Sequence, residues 1–144
     1  MPHTTNYFDT FIAVAPDCKA ACGTEPKDAP SPSIARRTFA MIAANPYRYT
    51  SDEVIFTVYA DRNDIPESER DAARTAFFAK GQACLRASDL GKKYGWGVHA
   101  DDQGRVALYG VETDEYEALT SGKKRGANGE PVAVTRAMRS ARAR

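Results

Sequence analysis

A chain of 144 residues with helical spacing between its first strand-like segments and a hairpin pattern later on predicts an α+β domain. The intervening helices keep the early strands from pairing through tight turns, and the hairpin demands antiparallel neighbours, so the sheet should be mixed with helices packed on it. The expected order is β-α-β-α-β-β-α, followed by a basic C-terminal tail. The apolar content is soft, because 24 Ala stand against 23 Leu, Ile, Val and Phe together. The core therefore leans on aromatics, and 7 Tyr, 6 Phe and 1 Trp supply them. A net charge of +1 removes the self-repulsion that accompanies disorder in chains poor in large aliphatics.

Tyr7 to Val14 alternates, with Phe8, Ile12 and Val14 on one side, and reads as the first strand; ordered chain is expected from about residue 6. Ala15 to Ser33 holds four prolines and no period, which predicts a long surface loop, either a functional cover or an insertion. Ser31-Pro32 suits a helix entry, Ile34, Ala35, Thr38, Phe39 and Ile42 form an apolar stripe, and Asn45-Pro46 ends it. Glu53 to Tyr59 is apolar on both alternating faces and rich in β-branched residues, so it reads as a central strand covered twice. Asp64 with Glu67 resembles a capping box for a helix burying Ala73, Ala76 and Phe77 and leaving at Lys80-Gly81. Gly95 to Ala100 and Arg105 to Val111 flank a turn ending in Gly104, a hairpin signature. Thr113 can cap a helix over Asp114 to Thr120 with Tyr116 and Leu119 inward and Gly122 as its stop.

Charge divides the chain. Residues 1–121 carry 13 Lys and Arg against 18 Asp and Glu, whereas residues 122–144 carry seven against one. The expected organisation is one globular domain over 1–121 and a basic, flexible tail over 122–144 that folding can do without. No apolar run approaches the roughly 18 residues needed to span a bilayer, and the N-terminus lacks the basic, apolar pattern of a secretory signal. Three cysteines, Cys18, Cys22 and Cys84, are an odd number that argues for free thiols in a reducing, cytoplasmic setting.

The words His3-Thr4-Thr5-Asn6-Tyr7, Asn45-Pro46-Tyr47-Arg48-Tyr49-Thr50-Ser51-Asp52, Lys80-Gly81-Gln82-Ala83-Cys84-Leu85-Arg86-Ala87-Ser88, Tyr94-Gly95-Trp96-Gly97-Val98-His99, Ala107-Leu108-Tyr109-Gly110 and Ala137-Met138-Arg139-Ser140 occur in order. Through them the chain resembles a family of small, mostly bacterial proteins catalogued as a domain of unknown function. The resemblance implies no reaction, ligand or functional residue, and whether the chain is an enzyme is not written in any motif.

The segment from Arg86 to His99 carries the residues best suited to a site. On a strand, Gly95, Gly97 and His99 share one face, which leaves a strip bare of side chains up to an imidazole whose ordinary pKa lies near neutrality. Such a strip admits either a ligand or a tightly packed helix. In the first case Arg86, Lys93, Trp96, Gly97 and His99 are the candidate binding residues for a small anionic or polar molecule, with Lys92, Lys93 or the Arg86 fork meeting its charge and His99 donating, accepting or shuttling a proton. In the second, Arg86 pairs with Asp9, Asp52 or Glu112, and His99 is a hydrogen-bonded rim residue. The three glycines match neither a dinucleotide nor a P-loop spacing, so no cofactor is implied. Cys18-x3-Cys22 lacks partners for a metal site, and none is expected. Cys84 reads as a packed thiol or, beside Arg86, an activated one. The alternative function is an interaction module: Arg136, Arg139 and Arg142 would form a basic stripe for nucleic acid or an acidic partner if the tail were helical.

Overall fold

The computed structural model describes residues 3–140. Four strands, β1 (Thr10–Ala13), β2 (Trp96–Ala100), β3 (Val106–Gly110) and β4 (Ala133–Arg136), form a sheet in the order β3-β2-β1-β4. β2 pairs antiparallel with both β1 and β3, and β4 runs parallel to β1, so the sheet is mixed. Among the described residues five α-helices accompany it: α1 (Ile34–Ala44), α2 (Ser51–Arg62), α3 (Arg70–Phe77), α4 (Asp89–Lys92) and α5 (Asp114–Thr120). The protein is α+β, but its helices α1 to α4 follow β1 without an intervening strand.

Period-2 alternation gives the sheet two apolar faces. Ile12, Val98, Ala100 and Val106 pack with Ile42 of α1 and Val54 and Val58 of α2. On the other face Phe11 and Ala13 pack with Tyr116 and Leu119 of α5 and with Val132. The expected hairpin is present: Gly104 takes φ +78° in the turn, and the Asp101 carboxylate accepts from the amides of Gln103 and Arg105. The Thr113 cap also forms, its hydroxyl accepting from the Tyr116 amide, and both Tyr116 and Leu119 are buried.

The expected strand over Glu53 to Tyr59 is instead the middle of α2. Thr50 and Glu53 make a reciprocal capping box, hydroxyl to Glu53 amide at 3.2 Å and carboxylate to Thr50 amide at 3.0 Å. Val54 and Val58, one helical turn apart, face the sheet, whereas Phe56 and Ala60 face Phe78. A helix buried on two sides has apolar residues at alternate positions and no single stripe, so its pattern is indistinguishable from that of a covered strand. The expected capping box at Asp64 does not form. Asp64 has φ +51°, residues Glu67–Glu69 form a single 3-10 turn, and α3 begins at Arg70 with Ala76 exposed and with Ala73 and Phe77 half-buried.

Both ends of the described chain join the fold. Order begins before residue 6, because the buried Asp52 carboxylate accepts from the Thr5 amide and hydroxyl, both at 2.6 Å, and from the Thr4 hydroxyl at 2.7 Å. Residues 122–140, set apart in the sequence as a tail, supply β4, and the flanking Val132 and Ala137 are buried in the two apolar clusters. The 16–33 loop is tied down as well: the Trp96 indole donates to Thr24 O, and the Glu112 carboxylate, held below its usual range chiefly by this contact, accepts from the Gly23 amide.

Candidate functional site

The structure distributes the residues nominated between 86 and 99 rather than gathering them. A Cβ on Gly97 would overlap the Phe11 ring and press on Tyr116, so the bare strip is filled by a phenyl group from β1 and the phenol from α5. No cleft opens at Gly97. Trp96 points to the opposite face, tilted against Phe39 of α1 with ring centroids 5.4 Å apart. Lys93 is exposed. Arg86 forms no carboxylate pair among the described residues; its Nε donates to Arg136 O at 2.7 Å and ties the C-terminal segment to the body.

His99 is buried, and its Nδ1 lies 2.7 Å from the Tyr47 hydroxyl, which in turn lies 2.8 Å from the Tyr109 hydroxyl. Its Nε2 has no hydrogen-bond partner among the described residues. Burial lowers the imidazole pKa, outweighing Asp101 and Asp9, whose charges raise it; Lys124 lowers it further. The ring is thus neutral at pH 7. Burial and the Tyr109 contact push the Tyr47 phenol far above its ordinary range. Tyr47 holds φ +59°, an unfavourable conformation for a non-glycine residue, while its amide donates to Val106 O on the edge strand β3. The strand-end backbone and the two phenols thereby fix one another. The imidazole foreseen as a proton donor or acceptor is enclosed, with Tyr47 as its partner and Tyr109 behind it, and nothing in the local sequence announced either.

Open space lies elsewhere. A groove of about 300 Å³ runs between α1, α2 and the segment from Gln82 to Ser88, with an apolar wall that includes Ile34, Ile55, Val58, Phe77 and Leu85. Cys84 also lines it, its Sγ 3.5 Å from the Tyr7 hydroxyl. That contact and burial raise the Tyr7 phenol, against the lowering charge of Arg86. The polar lining groups are mostly committed: the Gln82 amide donates to Phe77 O and the Ser88 hydroxyl caps the Leu90 amide. Arg62 lies at the C-terminal end of α2 and has no ion pair among the described residues. Reading Glu53 to Tyr59 as a strand hid this wall, since only helical spacing puts Ile55, Val58, Tyr59 and Arg62 on one side.

Among the described residues the basic stripe does not form. Arg136 belongs to β4 and its guanidinium donates to Val14 O, residues 137–140 are not helical, and Arg142 lies outside the described residues. Cys18, Cys22 and Cys84 are free thiols, and no group of three His, Cys, Asp or Glu able to hold a metal occurs among the described residues. Nor is any described helix long and apolar enough to cross a membrane.

A four-stranded mixed sheet with helices on both faces, an enclosed His-Tyr-Tyr chain on one side and an open apolar groove on the other define a small α+β protein. Its residues 2–143 match the model of DUF6157, a family of unknown function, and the chain belongs to that family. Comparison with curated proteins and with solved structures found no match.

Proposed function

We propose that the protein binds a small, largely apolar molecule in the groove between α1, α2 and residues 82–88. The observation that supports this reading is the groove itself, whose volume of about 300 Å³ sits at the lower end of the range of small-molecule sites and whose wall is mainly aliphatic and aromatic. Water in such a groove has few polar partners, so its release favours an apolar occupant. The site lies apart from the cleft that one of the two readings put at Gly97, and adjoins the 86–99 segment only through its Ala87 and Ser88 rim.

The test uses an uncharged environment-sensitive dye, N-phenyl-1-naphthylamine, with the wild-type protein and with Ala83→Trp. Ala83 is exposed and lines the groove, so the indole adds bulk there without removing a core contact. The expected result is a saturable rise in fluorescence that the Trp variant loses. A rise that does not saturate, or that is the same in both proteins, overturns the reading.

A further inference from the structure

Helical spacing gives the groove a polarity. Ile55, Val58, Tyr59 and Arg62 fall at i, i+3, i+4 and i+7, so one side of α2 offers two apolar turns followed by a guanidinium. The facing wall contributes Ile34 and Thr38 from α1, again one turn apart, and Phe77 and Leu85 close the apolar portion. From Ile55 to Arg62 the helix rises about 10 Å, close to the roughly 9 Å that an extended eight-carbon chain covers when its bonds of about 1.5 Å zigzag at tetrahedral carbons.

The charge at the end of that wall is uncommitted. Other arginines of this region are engaged: Arg36 pairs with Glu25 at 2.6 Å, and Arg70 pairs with Asp61 at 2.9 Å, which takes up the carboxylate adjacent in sequence to Arg62. The Arg62 guanidinium has no hydrogen bond, ion pair or ring contact among the described residues. A planar guanidinium matches a carboxylate in a two-bond geometry that neither an alcohol nor an ammonium can reproduce.

We infer that the groove selects an amphipathic monocarboxylate, its alkyl or aryl body against Ile55, Val58 and Phe77 and its carboxylate at Arg62. This rests on the groove-binding reading above and adds the class of head group. Cys84 reports occupancy, because it lines the same groove.

Octanoate, 1-octanol and octylamine share one chain and differ only in the head, so calorimetric titration of each isolates the contribution of Arg62. Alkylation of Cys84 by iodoacetamide, read on its own peptide by mass spectrometry, shows whether the ligand lies in the groove. Octanoate is expected to bind roughly tenfold more tightly than octanol, with octylamine weakest, and to slow alkylation of Cys84. In Arg62→Gln, whose side chain is exposed at a helix end, the preference for octanoate over octanol should vanish while octanol affinity stays the same. Equal binding of octanoate and octanol by the wild type, or a preference that survives in Arg62→Gln, overturns the head-group inference while leaving the groove reading intact. If none of the three binds and none protects Cys84, the groove reading fails and takes the inference with it.

Discussion

Single atoms decide what the glycine-bare face of β2 is for. The Phe11 ring occupies the volume beside Gly97, so Gly97→Val should destabilise the protein by roughly 1–3 kcal/mol through overpacking, seen as a lower denaturation midpoint. An unchanged midpoint would mean that the ring has room to move and that a cleft can open there. His99 makes stability depend on pH. Its folded pKa is lowered by burial, whereas in the unfolded chain the imidazole takes up a proton near its ordinary value of 6.5. Below that value the unfolded state binds more protons, so the contribution is complete above about pH 6.5 and is lost as pH falls toward the lowered folded value. Denaturation midpoints measured from pH 7.5 to 5.5 should therefore fall for the wild type and fall less steeply for His99→Gln; parallel curves would refute this. Tyr47→Phe removes the one hydroxyl that joins His99 Nδ1 to Tyr109, and should cost roughly 1–3 kcal/mol because two polar groups lose their partner.

At the scale of elements, α2 organises the molecule. Its capping box orients the first turn, its Val54 and Val58 carry one face of the sheet, and its Asp52 fastens residues 4 and 5 to the helix start. Asp52→Ala leaves the buried Thr5 amide and hydroxyl short of an acceptor, and a loss of roughly 2–4 kcal/mol is expected in urea denaturation. Were Asp52→Ala as stable as wild type, the N-terminal segment would be an incidental passenger. Phe56→Ala should cost about 3 kcal/mol or more in urea denaturation, as for any large buried aromatic, because Phe56 packs against Ala60 and Phe78.

For the molecule as a whole, the sheet is completed by the last part of the chain. β4 pairs with β1 from Thr10↔Ala133 to Ala13↔Arg136, and Val132 and Ala137 are buried on either side of it. Truncation after Ser121 strips β1 of that partner and exposes apolar surface around Phe11 and Leu119. A fall in melting temperature of more than about 10 °C is expected, given a few degrees per kcal/mol in a chain of this size. A truncated protein melting within a few degrees of the full chain would show β4 to be an energetically idle edge.

The sequence alone determined the local features: the helix ended by Asn45-Pro46, the turn that needs a glycine at 104, the Thr113 cap, and an α+β composition with too few large aliphatics for anything but an aromatic-assisted core. Each depends on backbone preferences within a few residues, which the residue types state directly. Tertiary structure decided the rest. Val54 to Tyr59 reads the same as a doubly covered strand or a doubly buried helix until its neighbours are in place, and that ambiguity concealed the groove wall. β4 has mainly exposed side chains and exists because β1 offers unpaired backbone groups 123 residues earlier. His99 was legible as a titratable group on a bare strip, but its enclosure required Tyr47 from 52 residues away, and the emptiness beside Gly97 required a ring from a strand no local pattern could pair with it. Contacts of that separation are selected by the packing of the whole chain, and no window along the sequence contains both partners.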